Sequence, residues 1–145
     1  MSYRYLEDTA LADVAFEATS SSVEGLFAEA AKALFDTMVA LESVSMTEKR
    51  EITLSAKALD LLLFDWLAEL ILIKDTEHLL FREFEVEIRP PEKPARKYML
   101  AATAVGERMD FKRHSLRTDV KAVTMHDLSL DVAPGRCRAT VVLDI

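Results

Sequence analysis

The chain has 145 residues, half of them apolar and 30% charged, with three glycines and four prolines, a length and composition that suit one domain around one core and exclude a disordered or fibrous chain. A formal net charge of −7 with an isoelectric point near 5.0 excludes free-standing nucleic-acid binding, since affinity for a phosphate backbone comes from clustered Lys and Arg. Any role in RNA metabolism therefore calls for a protein partner that holds the RNA.

From Met1 to Leu11, Arg4, Glu7 and Asp8 stand where a signal peptide needs an uninterrupted apolar stretch, so a cytoplasmic location is expected. Tyr3 to Leu6 and Asp13 to Ala18 read as paired strands, the second alternating Val14, Phe16 and Ala18 against Asp13, Ala15 and Glu17. Ser21 followed by Glu24 has the spacing of a capping box. The helix it opens carries Val23, Leu26, Phe27, Ala30, Ala31, Leu34, Phe35 and Met38 on one stripe. Lys49 to Ala56 reads as a strand with Ile52, Leu54 and Ala56 inward. Leu59 to Lys74 reads as a second helix, apolar nearly all round and hence buried on several sides. Its acidic residues Asp60, Asp65 and Glu69 and its length argue against a membrane span.

From Leu79 the period shortens to two, with Phe84, Val86 and Ile88 set against Glu83, Glu85 and Glu87. Pro90, Pro91 and Pro94 force a turn. Arg96 to Val105, Val120 to Val132 and Arg136 to Ile145 are further strands, the last two joined through Ala133-Pro134-Gly135. The order β-β-α-β-α-β-β-β-β predicts an α+β fold, a mostly antiparallel sheet with two main helices packed on it, as a single domain over 1–145. Which strands are neighbours does not follow from the sequence.

Scattered glycines at 25, 106 and 135 exclude a Gly-rich phosphate loop. His78, His114 and His126 with the lone Cys137 give no zinc spacing; Cys137, alternating with Ala139 and Val141, reads as a small buried hydrophobe. Asp144 and Ile145 end the last strand, and Asp13 heads an early one. Strand-end aspartates facing water are the plain reading, and a hard divalent cation held by these oxygens is the alternative. Asp65 and Glu69, four apart on an apolar helix, read as a solvated stripe. Lys121, Thr124 and His126 interrupt a strand that otherwise reads as core, which hints at a site. Alternation puts Thr124 and His126 on one face and Lys121 on the other.

Taken in order, several segments resemble the archease family across essentially the whole chain. They are Tyr5-Leu6-Glu7-Asp8-Thr9-Ala10 with Ala12-Asp13-Val14-Ala15-Phe16-Glu17-Ala18, and Leu63-Phe64-Asp65-Trp66-Leu67-Ala68-Glu69-Leu70 with Asp75-Thr76-Glu77. The most specific are Val120-Lys121-Ala122-Val123-Thr124-Met125-His126 and the terminal Val142-Leu143-Asp144-Ile145. The sequence departs from the family pattern at Asp8, where many members have His, in two extra residues before Ala12, around Leu11, and at Met125, where Tyr is usual.

The resemblance implies a non-catalytic activator of an RtcB-type RNA ligase in tRNA splicing and RNA repair. It would promote ligase guanylylation and multiple turnover. It also implies a divalent metal, described in the family as Ca²⁺, held by residues matching Asp13, Asp144 and Ile145, and a lysine needed for activation that matches Lys121. Thr124 and His126, in the same motif, are candidates to support that site from behind. The alternative the family suggests is a chaperone-like modulator of another RNA-processing enzyme, such as a tRNA methyltransferase. A metal-dependent hydrolase using Asp13 and Asp144 ranks last, because no nucleophile and base accompany those acids.

Overall fold

In the computed structural model, which describes residues 1–6 and 13–145, the period-two segments pair as antiparallel strands throughout. β1 (Ser2–Leu6) lies on β2 (Asp13–Ser20). Ser22 opens α1 (Val23–Met38): its hydroxyl accepts from the Gly25 amide at 3.0 Å and so satisfies one of the orphan donors of the first turn. The cap is thus Ser22 rather than the expected Ser21, because Ser22 takes the extended backbone that a cap requires. The apolar stripe of α1 is buried along its length, from Leu26 and Phe27 to Phe35 and Met38.

β3 (Glu48–Ala56) leads into α2 (Leu59–Glu77), which runs three residues past the expected Lys74 and stops where His78 adopts φ 57°. Apolar on most sides, α2 touches α1 and strands of both sheets. Trp66 at its middle is fully buried and donates its indole N–H to the Phe27 carbonyl at 3.0 Å, which fixes one helix against the other. No helix among the described residues is long and apolar enough to cross a membrane.

β4 (Leu79–Arg89) and β5 (Tyr98–Arg108) join β3 in a three-stranded sheet, order β3-β5-β4. A second sheet has the order β1-β2-β8-β6, with β7 also paired to β8. It contains β6 (Ala122–Val123), β7 (Ser129–Ala133) and β8 (Arg136–Asp144). The stretch expected to be one strand from Val120 to Val132 is therefore two short ones. A turn separates them, with Asp127 at φ 53°, and both lie along the edge of β8 that β2 leaves free. The helices and the inner faces of both sheets share one core, the expected α+β arrangement, and Cys137 is buried within it.

Between β5 and β6, residues 109–121 form a long strap across the end of α1. Ser115 accepts from the Ala40 amide at 2.9 Å, and the Arg117 amide donates to the Met38 carbonyl at 2.7 Å. The Arg117 guanidinium adds bonds to the Asp36 carboxylate at 2.8 Å and carbonyl at 2.9 Å. Connections this long without regular structure are uncommon in compact folds, and here nearly every turn of it is tied down.

Candidate functional site

The pairing of β2 with β8 sets Asp13 directly opposite Asp144, and that of β6 with β8 sets Ala122 opposite Asp144 from the other side. Opposed residues of an antiparallel pair send their side chains to the same face, Cβ atoms about 4.5–5.5 Å apart. Phe16, Ala18, Ala139, Val141 and Leu143 are core residues, so alternation puts Asp13 and Asp144 on the face turned away from the core. Both are half-buried. Two carboxylates held like this repel each other unless a cation lies between them.

The Lys121 amide donates to the Asp144 carbonyl at 2.8 Å, and its side chain is exposed. Ile145, half-buried, packs its side chain against the core, which anchors the backbone that follows Asp144. One end of the five-stranded sheet therefore gathers Asp13, Lys121, Asp144 and Ile145, residues that sequence spacing leaves far apart. For a divalent metal the donor set is chemically suitable, since carboxylate oxygens are what hard cations such as Ca²⁺ take. Among the described residues no group of three or more His, Cys, Asp or Glu side chains is placed to hold a metal ion. Among the described residues a third protein donor would accordingly be a main-chain oxygen or the α-carboxylate of Ile145.

Thr124 and His126 do not share a strand face as alternation implied. Thr124 follows β6 and turns both its amide, at 3.0 Å, and its hydroxyl, at 3.1 Å, onto the Val142 carbonyl. His126 sits in the exposed turn, with Nε2 3.2 Å from its neighbour Asp127. Met125 is exposed beside it. The departures at Asp8 and Leu11 lie outside the described residues. Asp65 stays exposed and Glu69 half-buried on α2.

Two polar clusters escaped the sequence reading. Buried Glu107 and His114 form a knot with the exposed Arg113: Glu107 Oε1 accepts the Ser45 amide at 2.8 Å and lies 2.7 Å from His114 Nε2, while Arg113 pairs with Oε2. His114 Nδ1 accepts from the Asp110 amide at 2.8 Å, so in the neutral ring the hydrogen is on Nε2, facing Glu107. Burial pushes the Glu107 carboxyl upward, but the Ser45 amide, Arg113 and His114 together outweigh it and bring the pKa down to about 2. The second cluster centres on Lys74, whose side chain is only 3% exposed yet ion-paired. Its one signal in the sequence is a lone cation in the last turns of an apolar helix, the end where the helix dipole favours it.

Comparison with known proteins agrees with this architecture. Residues 3–145 match the model of the Archease protein family (MTH1598/TM1083). Protein archease of Pyrococcus abyssi is 40% identical over 135 residues, 92% of this chain and 93% of the relative. Protein archease of Methanopyrus kandleri is 37% identical over the full length of both. The solution structure of Methanobacterium thermoautotrophicum protein 1598 superposes with a TM-score of 0.84 at 35% identity, covering 99% of this chain and 98% of that one. A crystal structure of a Thermotoga maritima archease, described as a possible chaperone, shares the fold at a TM-score of 0.59 and 20% identity over 94% of this chain and 93% of that one. With the family model and full-length relatives in agreement along the sequence, this chain belongs to the archease family.

Proposed function

We propose that this chain is a cytosolic, non-catalytic activator of an RtcB-type RNA ligase, and that it works by presenting an acidic tip to the ligase active site. The tip consists of Asp13, Asp144 and the α-carboxylate of Ile145, which hold a divalent cation such as Ca²⁺, with Lys121 beside them. When bound, the cation neutralises the facing carboxylates and offers a charge to phosphate oxygens. The chain's own residues do the rest: the β2–β8 register holds the two acids together, and Lys121 supplies a positive charge at the rim of the contact. The observation that carries the reading is the direct opposition of Asp13 and Asp144 next to the Lys121–Asp144 hydrogen bond. An acidic body of net charge −7 adds attraction to a pocket built for nucleotide and RNA phosphates without competing for the RNA itself.

The test follows ligase guanylylation together with Ca²⁺ binding by calorimetry. Asp13→Ala and Asp144→Ala are each expected to abolish Ca²⁺ binding and activation, and Lys121→Ala to reduce activation while Ca²⁺ still binds. Full activation by both aspartate variants would overturn the proposal. Activation that is unchanged when residues are appended after Ile145 would remove the α-carboxylate from the donor set.

A second reading, a chaperone-like modulator of another RNA enzyme such as a tRNA methyltransferase, draws on a separate feature. A groove of about 410 Å³ is lined by Met38, Leu80, Met109, Phe111 and Leu116, and Phe111 is 80% exposed. That reading expects the methyltransferase's solubility to depend on Phe111 and not on Asp144.

A further inference from the structure

We propose that Lys74 is the positioning residue that sets Lys121 against the acidic tip. The inference rests on the function proposed above for Lys121, but its geometry stands alone. The Lys74 ammonium has three donors and three oxygens around it, of which those of Asp119 and Val120 accept its hydrogen bonds and that of Asp75 forms an ion pair. The three are Asp75 Oδ1 at 2.5 Å, Asp119 Oδ1 at 2.8 Å and the Val120 carbonyl at 3.0 Å. An ammonium with only 3% of its side chain exposed is tolerated only when it is paired in this way.

Asp75, the next residue on the same helix, would suffice to neutralise it. The two acceptors belong to the far end of the strap, and they tie that end to α2. Val120 is itself fully buried. The next amide in the chain is that of Lys121, which donates to the Asp144 carbonyl, and the next residue, Ala122, pairs with Asp144 in register. A short hydrogen-bonded path thus runs from a core helix through Val120 and Lys121 to the acidic tip. Lys74 touches neither Asp13 nor Asp144, so it acts through the strap. Its removal frees the entry to β6 and leaves the β2–β8 carboxylate pair in place.

The experiment uses the full chain with Lys74→Met, which keeps the apolar stem. It also uses Asp119→Ala, which removes the strap's carboxylate acceptor but not the Val120 carbonyl, at a residue whose side chain is 70% exposed, and so keeps the question open if Lys74→Met fails to fold. Three quantities are read: amide hydrogen exchange at Lys121, Ca²⁺ affinity, and ligase guanylylation as a function of added protein.

The expectation is that the Lys121 amide exchanges about tenfold faster in both variants, on the scale of one lost charge-assisted hydrogen bond. Core amides such as those of Leu34 and Leu70 should exchange as in the unaltered protein, and Ca²⁺ affinity should hold. The concentration of protein giving half-maximal activation should rise. A role confined to stability would instead speed exchange everywhere and leave half-maximal activation where it was. Unchanged Lys121 exchange overturns the inference whatever the ligase does. Unchanged activation by Lys121→Ala, with Lys121 exchange raised in the Lys74 variant, overturns the ligase reading and leaves the positioning role standing.

Discussion

Glu107 gathers the Ser45 amide, the Arg113 guanidinium and His114 on one buried carboxylate, and that gathering gives the fold a dependence on acid. Its folded pKa of about 2 lies below the ordinary value of 4.5, so the folded state binds the proton less readily than the unfolded one. The stabilisation is fully present above the ordinary value and is lost as pH falls through the folded value. Glu107→Gln is accordingly expected to melt well below the unaltered protein at neutral pH, with the gap closing toward about pH 2. Thermal unfolding at a series of pH values checks this, and a gap that stays constant with pH would mean that the carboxylate's charge is not what holds the knot. The same residue illustrates what a sequence conceals. Glu107 lies near the end of β5 and His114 sits in a loop, and only the path of the strap brings them together.

Among the elements, those whose side chains repeat with one period were legible: α1, β3, α2 and β4 match their expected spans to within a few residues, because burial on one face enforces the repeat. Pairing was not legible, since β2 meets β8 across nearly the whole chain and no local signal encodes a distant register. The division into β6 and β7 was missed because Val120 to Val132 keeps its strand-like composition while Asp127 takes a left-handed turn. Gly106 shows another hidden constraint. A Cβ there would lie 1.8 Å from the Leu80 carbonyl oxygen and 2.6 Å from the Phe81 Cα, where β4 carries a register shift between Phe81 and Glu83. Those neighbours are backbone and cannot swing aside. Gly106→Ala must part the two strands, and an overpacking penalty of about 1–3 kcal/mol or more is expected. Urea unfolding reads it as a lower midpoint at an unchanged slope, and a midpoint equal to that of the unaltered protein would show that β4 yields freely.

Over the whole molecule, the core and the proposed tip are expected to be separable. Leu67, fully buried on α2, is expected to destabilise by about 2–5 kcal/mol when cut to Ala, through the cavity it leaves, while Ca²⁺ affinity measured well below the melting temperature stays unchanged. A loss of Ca²⁺ affinity in step with stability would mean that the carboxylate pair is not held by the sheet alone. The sheet that carries the pair is also built in an unusual sequence of events. β8 comes last in chain order yet lies between β2 on one side and β6 and β7 on the other. During synthesis the first hairpin therefore waits with one edge of β2 unpaired until the final strand slots in, a non-local closure of the slow kind. Asp13 has no opposing carboxylate before that moment. Until β8 is paired the chain therefore lacks the facing carboxylates, which makes the proposed cation site a reporter of sheet closure.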